Sequence, residues 1–319
     1  MKAISEEFEV VILMPIYKPD INFLLRQIES INSQQFESFV CILGFDGPID
    51  GTITSALRET LDSKRFRICG YPHQAGVYLH IERLLSDFAE LGRFVALCDQ
   101  DDNWYTSRLL NQVNVLLTTK YSMVTDNALL VDLDGKSFDV TVFEVLGISN
   151  AVKKFVLTTN FATGAGSMYR KEMVLMALPF PKNHGNALHD HWLVSVAEAC
   201  NGCLINETPS WEYRQHGNNL VGAFGGNEKS SPIKTAFAKF HKIWFGKDNS
   251  FERQIIENID ALKKINPNLN PSLFDPTKVF TPLEKLRLLS LSNLRDSRLD
   301  VLRVIRGRYK TTRDGKVLP

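Results

Sequence analysis

Short apolar runs alternate with helical patterns through the first hundred residues. Val10–Met14 ends at Pro15, and Phe39–Leu43 is a second run of the same kind. Both are short enough to read as buried strands rather than helices. Between them Phe23, Leu24, Ile28 and Ile31 share one helical face, and the Pro19-Asp20 turn marks where that helix starts. Phe66–Cys69 reads as a third strand, Val77–Leu91 as a second helix and Phe94–Cys98 as a fourth strand. This rhythm predicts an α/β fold: a Rossmann-like, mostly parallel central sheet with helices on both faces.

The rhythm weakens after residue 105. Met123–Asp126 and Ala128–Val131 look like strand next to the turn Asp132-Leu133-Asp134-Gly135, and Gly164-Ala165-Gly166 interrupts an apolar stretch before Tyr169. Helical patterning returns over Trp192–Cys200, and Trp211–Arg214 suggests a last short strand. Gly217–Pro232 is rich in Gly, Asn and Ser and reads as a loop. The remainder is mainly helical, broken over Pro267–Pro276. Residues 1–222 are therefore expected to form the main domain, and 223–319 a helical C-terminal region. From Leu283 to Ile305 aliphatic residues recur at helical spacing beside Arg287, Arg295, Arg298 and Arg303. Such a basic amphipathic helix either lies on an anionic membrane or packs on the main domain with its basic face solvated.

Open α/β sheets bind ligands outside the carboxyl ends of their strands. Those ends carry Pro15-Ile16-Tyr17, Gly44-Phe45-Asp46-Gly47, Tyr71–Gly76 and Asp99-Gln100-Asp101-Asp102. Three carboxylates after one buried strand raise one another's pKa unless a cation compensates them. Divalent magnesium or manganese would do so, using one or two carboxylates plus phosphate oxygens. Asp101 or Asp102 could equally cap a helix running from Tyr105 to Leu117, and the two roles are compatible.

Composition narrows the class. The 319 residues are 44% hydrophobic and 23% charged, so the chain is globular, and its net charge of +1 argues against binding nucleic acid by bulk electrostatics. The acidic start MKAISEEFEV reads as no export signal, and no window approaches the apolar length of a membrane span. Five irregularly spaced cysteines fit a reducing cytoplasm, with Cys200-x-x-Cys203 read as structural.

The order and spacing of several segments resemble a family 2 nucleotide-sugar glycosyltransferase of the GT-A type, in particular its rhamnosyltransferase-like group. They are VVILMPIYKPD, GFDGPIDGT, HQAGVYLHIERLL, ALCDQDDNW, TDNALLVDLDG, GAGSMYR, HDHWLVSVAEACNG and YRQHGNNLVG, spread over the first 222 residues. The resemblance implies a metal-dependent, inverting transfer from a dTDP- or UDP-linked sugar to a glycan or lipid-linked acceptor at the cytoplasmic membrane face. It assigns Pro15, Tyr17, Asp46 and Gly76 to the nucleotide-sugar, Asp99 to its ribose, Asp101 and His216 to the metal, and Arg214 to the diphosphate. Asp190 falls at the place of the general base that deprotonates the acceptor hydroxyl. His189 and His191 diverge in direction on a helix, so they are not expected to share an ion with it.

Other readings compete. A Rossmann dehydrogenase needs a glycine fingerprint after its first strand, and Met14-Pro15-Ile16-Tyr17 has none. A sugar nucleotidyltransferase would want a glycine-rich phosphate loop there. A non-catalytic GT-A scaffold that binds a partner or membrane through the basic tail would not require Asp99, Asp101, Asp190 and His216 together.

Overall fold

The computed structural model describes residues 8–49, 51–150, 153, 156, 160–185, 187–215, 250–267, 310–311 and 317–318. The first half runs β1 (Phe8–Ile16), α1 (Ile21–Asn32), β2 (Phe39–Phe45), α2 (Gly51–Thr60), β3 (Phe66–Gly70), α3 (Val77–Phe88), a 3-10 turn and β4 (Gly92–Leu97). Its four strands are parallel and lie in the order β3-β2-β1-β4. The chain thus builds outward from β1 on one side, then returns to place β4 on the other. Right-handed crossovers put α1 and α2 on one face and α3 on the opposite one. Val10–Met14 and Val40–Leu43 are wholly excluded from solvent, as the continuous apolar runs require. Each large side chain buried there contributes roughly 1.5–3 kcal/mol. The start of α1 is as expected, with Asp20 accepting from the Asn22 and Phe23 amides at 2.9 and 3.3 Å.

The second half is less regular. It comprises β5 (Asn103–Trp104), α4 (Arg108–Thr118), β6 (Met123–Val131), β7 (Ser137–Thr141), α5 (Val142–Leu146), β8 (Ser167–Arg170), α6 (Lys171–Ala177), α7 (His189–Ala199) and β9 (Cys203–Arg214). β8 runs antiparallel between β4 and β6, β9 is parallel to β6, and β5 and β7 join as antiparallel edges.

Three expectations need correction here. The helix expected from Tyr105 begins at Arg108, because Asn103 and Trp104 first pair with Glu212 and Trp211. Neither Asp101 nor Asp102 therefore caps it; Ser107 occupies that position. The strand expected at Trp211–Arg214 starts at Cys203. Its polar residues and Pro209 hid it, and the proline is accommodated where the register with β6 shifts.

All five cysteines are free: Cys200 ends α7 and Cys203 opens β9, so the C-x-x-C spacing spans a helix-to-strand turn. Helix α8 (Ser250–Ile265) buries Ile255, Ile259 and Leu262 and packs against α7, while the Asn266 side-chain Nδ2 donates to the Ala199 carbonyl at 2.9 Å. Lys310–Thr311 and Val317–Leu318 form a short antiparallel pair, β10 and β11. His216, the glycine-rich loop and the amphipathic stretch after Leu283 lie outside the described residues. Among the described residues no helix is long and apolar enough to cross a membrane.

Candidate active site

The crevice lies where the strand order reverses, beyond the carboxyl ends of β1 and β4. Pro15 is half-buried near the end of β1, and Tyr17 just beyond the strand is 46% exposed. Hydrogen bonding to Lys18 and Gln74 draws the Tyr17 hydroxyl below its ordinary range, so the phenol reaches from β1 to the Tyr71–Gly76 loop. Its main chain is bound by Gln100: the Tyr17 amide donates to Oε1 at 3.0 Å and Nε2 donates to the Tyr17 carbonyl at 3.1 Å.

Asp46 follows β2 and is nearly buried. Its two carboxylate oxygens accept from the Ala75 and Gly76 amides at 2.7 and 2.8 Å, pinning the loop that leads into α3. Gly76 has φ +78°, a conformation that favours glycine. His80 lies beneath, its Nε2 donating to the Gly44 carbonyl at 2.8 Å and its Nδ1 3.7 Å from Asp46. Burial holds the His80 ring below the usual imidazole range, so it is neutral at pH 7.

The aspartates after β4 differ in environment. Asp99 is exposed within the crevice, yet the protein wall around it strips hydration, and the carboxylates of Asp101 and Asp190 add repulsion. Together they push its carboxyl up to about 7, against the opposing pull of Arg108. Between about pH 4 and pH 7 the folded chain holds this proton and the unfolded chain does not. Stability therefore falls across that window as pH rises. Asp102 is buried, with Oδ1 accepting from the Arg214 amide at 3.3 Å, and burial raises it well above the carboxylate range.

Under this acidic loop lies Arg108, wholly buried with its guanidinium 3.9 Å from the Trp104 ring centre and 5.4 Å from that of Trp211. It donates to the Ala165 carbonyl, and burial lowers its pKa to about 10, which leaves it a fixed cation at neutral pH.

Asp190 stands in the first turn of α7, and its Oδ1 accepts from the His191 amide at 2.7 Å. His191 turns away to donate from Nε2 to the Val156 carbonyl, while His189 packs on Gly164. Both rings are held below the imidazole range by burial. The tertiary fold thus brings Asp190 into electrostatic contact with Asp99 across 91 sequence positions.

Arg214, which the resemblance assigns to the diphosphate, is the last residue of β9. It is buried: Nε donates to the Asp101 carbonyl at 3.2 Å, and Nη1 to the carbonyls of Asp132 and Leu133 at 3.1 and 3.0 Å. With those donors committed to main-chain oxygens, the guanidinium anchors the aspartate loop to the β6–β7 turn.

No protein-family model matches the chain. Over 156 residues it is 31% identical to dTDP-rhamnosyl transferase RfbG of Shigella flexneri, a match covering 44% of the chain and half the length of that relative. TarS 1-349 of S. aureus, solved in complex with UDP-GlcNAc, aligns over 97% of this chain and 95% of its own, with a TM-score of 0.53 at 15% identity. The mannosyltransferase PcManGT from Pyrobaculum calidifontis, solved with GDP-Man and Mn2+, aligns over 95% and 87% with a TM-score of 0.53 at 13% identity. The chain has a GT-A-like glycosyltransferase fold. The likeness and fold class read from the sequence are borne out.

Within that fold, sequence reasoning missed Gln100, Arg108 and Gly164. Arg108 sits on the apolar face of α4 beside Leu109 and Val113, and an arginine at a core position is a detectable irregularity. Gln100 carries no such signal. Gly164 is held by a close approach: a Cβ there would lie 2.4 Å from His189 Nε2. Gly164→Ala is expected to destabilise the fold by about 1–3 kcal/mol by forcing the ring that adjoins Asp190 to move. Gly51→Ala, with open space around it, should stay within about 0.5 kcal/mol of wild type. Chemical denaturation of the two variants side by side checks this.

Proposed function

We propose that this protein is a metal-dependent, inverting glycosyltransferase that moves a sugar from a dTDP- or UDP-linked donor to a hydroxyl of a glycan or lipid-linked acceptor. The observation that carries the reading is the convergence of Asp99, Asp101 and Asp190 in the crevice at the strand-order reversal. The partial likeness to a dTDP-rhamnosyl transferase and the fold shared with enzymes solved with UDP-GlcNAc and GDP-Man support it.

The donor set suits a hard divalent cation. Carboxylates crowded until Asp99 holds its proton to about pH 7 favour a compensating charge. Among the described residues no three metal-ligating side chains converge closely enough to hold an ion alone. Asp101 with Asp99 would hold magnesium or manganese jointly with donor phosphate oxygens, as such ions prefer. His216, from outside the described residues, is the remaining candidate ligand. When bound, the metal supplies charge neutralisation for the departing nucleoside diphosphate.

The chain's own residues divide the rest of the work. Tyr17 and Asp46, with Pro15 and the Gly76 turn, form the wall against which base and ribose rest. Asp190 takes the proton from the acceptor hydroxyl as that oxygen attacks the anomeric carbon, and a single displacement inverts its configuration. Contact with the inner membrane face through the basic C-terminal stretch would bring the enzyme to lipid-linked acceptors.

The test is nucleoside diphosphate release from dTDP-rhamnose, UDP-GlcNAc and GDP-mannose, with Mn2+, with Mg2+ and with EDTA. Release from one donor, lost in EDTA and restored by added metal, is expected. No release from any donor with acceptor glycans present would favour the scaffold reading instead.

A further inference from the structure

Nothing in the β-ladder joins the two sides of the crevice where ligand would bind. The parallel pairing of β1 with β4 ends at Leu13 and Leu97, and its last backbone link is the Cys98 amide to the Leu13 carbonyl at 3.1 Å. Beyond that rung β4 gives way to the loop bearing the aspartates, while β1 continues to Ile16 paired with β2 and then turns at Tyr17. Gln100 spans the gap. Its amide makes a reciprocal pair of hydrogen bonds with the main chain of Tyr17, imitating one further rung of sheet. The orientation of that amide follows from chemistry, since only its oxygen can accept from the Tyr17 N–H and only its nitrogen can donate to the Tyr17 carbonyl.

The placement is informative. Gln100 lies between Asp99 and Asp101, and its partner is the main chain of the residue assigned to the base. On its far side the same loop is held by Arg214, through the Asp101 carbonyl and the Asp102 carboxylate. Arg214 thus ties the acidic loop to the β9 end of the sheet, and Gln100 ties it to the base wall. Two acceptors that must meet one ligand at a fixed separation bind it better when their spacing is set before binding.

We propose that Gln100 is a positioning residue for the donor: it locks the base-binding loop to the aspartate loop, so that nucleoside and diphosphate are held in one preset geometry. This rests on the glycosyltransferase reading above. Gln100 touches no reacting atom in this scheme and acts through the Tyr17 main chain.

Gln100→Ala and Gln100→Met separate hydrogen bonding from packing, because methionine keeps the length and bulk of the side chain and loses both bonds. Both variants are expected to raise the donor KM about tenfold, with kcat within about threefold of wild type and Tm unchanged within about 2 °C. Amide hydrogen exchange at Tyr17, read on the donor-free full chain, should be faster in both variants. Recovery of wild-type KM in Gln100→Met would assign the residue to packing and overturn the proposal. Wild-type exchange at Tyr17 in Gln100→Ala would overturn it too, and this readout needs no turnover. An inactive wild type with every donor would refute the transfer reading instead, leaving Tyr17 exchange to decide whether the brace exists.

Discussion

Asp190→Asn is expected to lower donor turnover about 10²- to 10⁴-fold, the range that a positioned general base supplies. The substitution is chosen to leave the fold alone. Asparagine keeps an oxygen for the His191 amide, so the first turn of α7 retains its local bond, while the side chain loses its ability to take a proton. Removing that charge also relieves Asp99 of one of its two carboxylate neighbours. Binding of the nucleoside diphosphate should accordingly be preserved or slightly tightened, measured by calorimetry beside steady-state rates. A variant that binds normally and fails to turn over identifies the base. One that turns over at the wild-type rate removes Asp190 from the chemistry.

Asp101→Asn is expected to act on binding as well as on rate. If its carboxylate holds the metal against the donor phosphates, losing it costs two to three decades of turnover, the equivalent of several kcal/mol of charge stabilisation. The affinity for nucleoside diphosphate in the presence of Mn2+ should drop to the value seen in EDTA. The Arg214 bond to the main-chain carbonyl of Asp101 does not depend on the carboxylate and is kept in this variant. Asp102→Asn is the informative contrast. Asp102 is buried against the Arg214 amide, so its replacement should show in thermal stability before it shows in metal dependence. Equal metal dependence in wild type and Asp101→Asn would exclude the assigned ligand.

The three acids after β4 thus separate by environment. Asp99 and Asp101 border the crevice, whereas Asp102 faces inward to hold Arg214. In the sequence the three were equivalent members of one run, and only Arg108, Arg214 and Asp190 distinguish them, from 6 to 115 positions away. The same holds for Arg214. Its charge and its place on a strand are legible in the sequence, whereas the carbonyls it donates to belong to Asp101 and to a turn 81 and 82 positions earlier.

What the sequence determined by itself is local. Apolar runs of about five residues are most readily hidden as central strands, and the polar residues past their ends face solvent or ligand. Those constraints placed β1, β2 and β4 and their ligand-binding ends, and the shorter run Phe66–Cys69 marked β3, which lies at the sheet edge. They weakened over β5 and β9, where pairing partners lie about a hundred residues apart and the stretch contains a proline and charged positions. The tertiary structure alone decided strand order, and with it the crevice between β1 and β4, the meeting of Asp99 with Asp190, and the Gln100 bonds to Tyr17. The reason is physical. Periodicity records which face of an element is buried, whereas contacts between elements depend on how those faces stack, and hydrogen bonds to a main chain leave no mark on the identity of the residue that receives them.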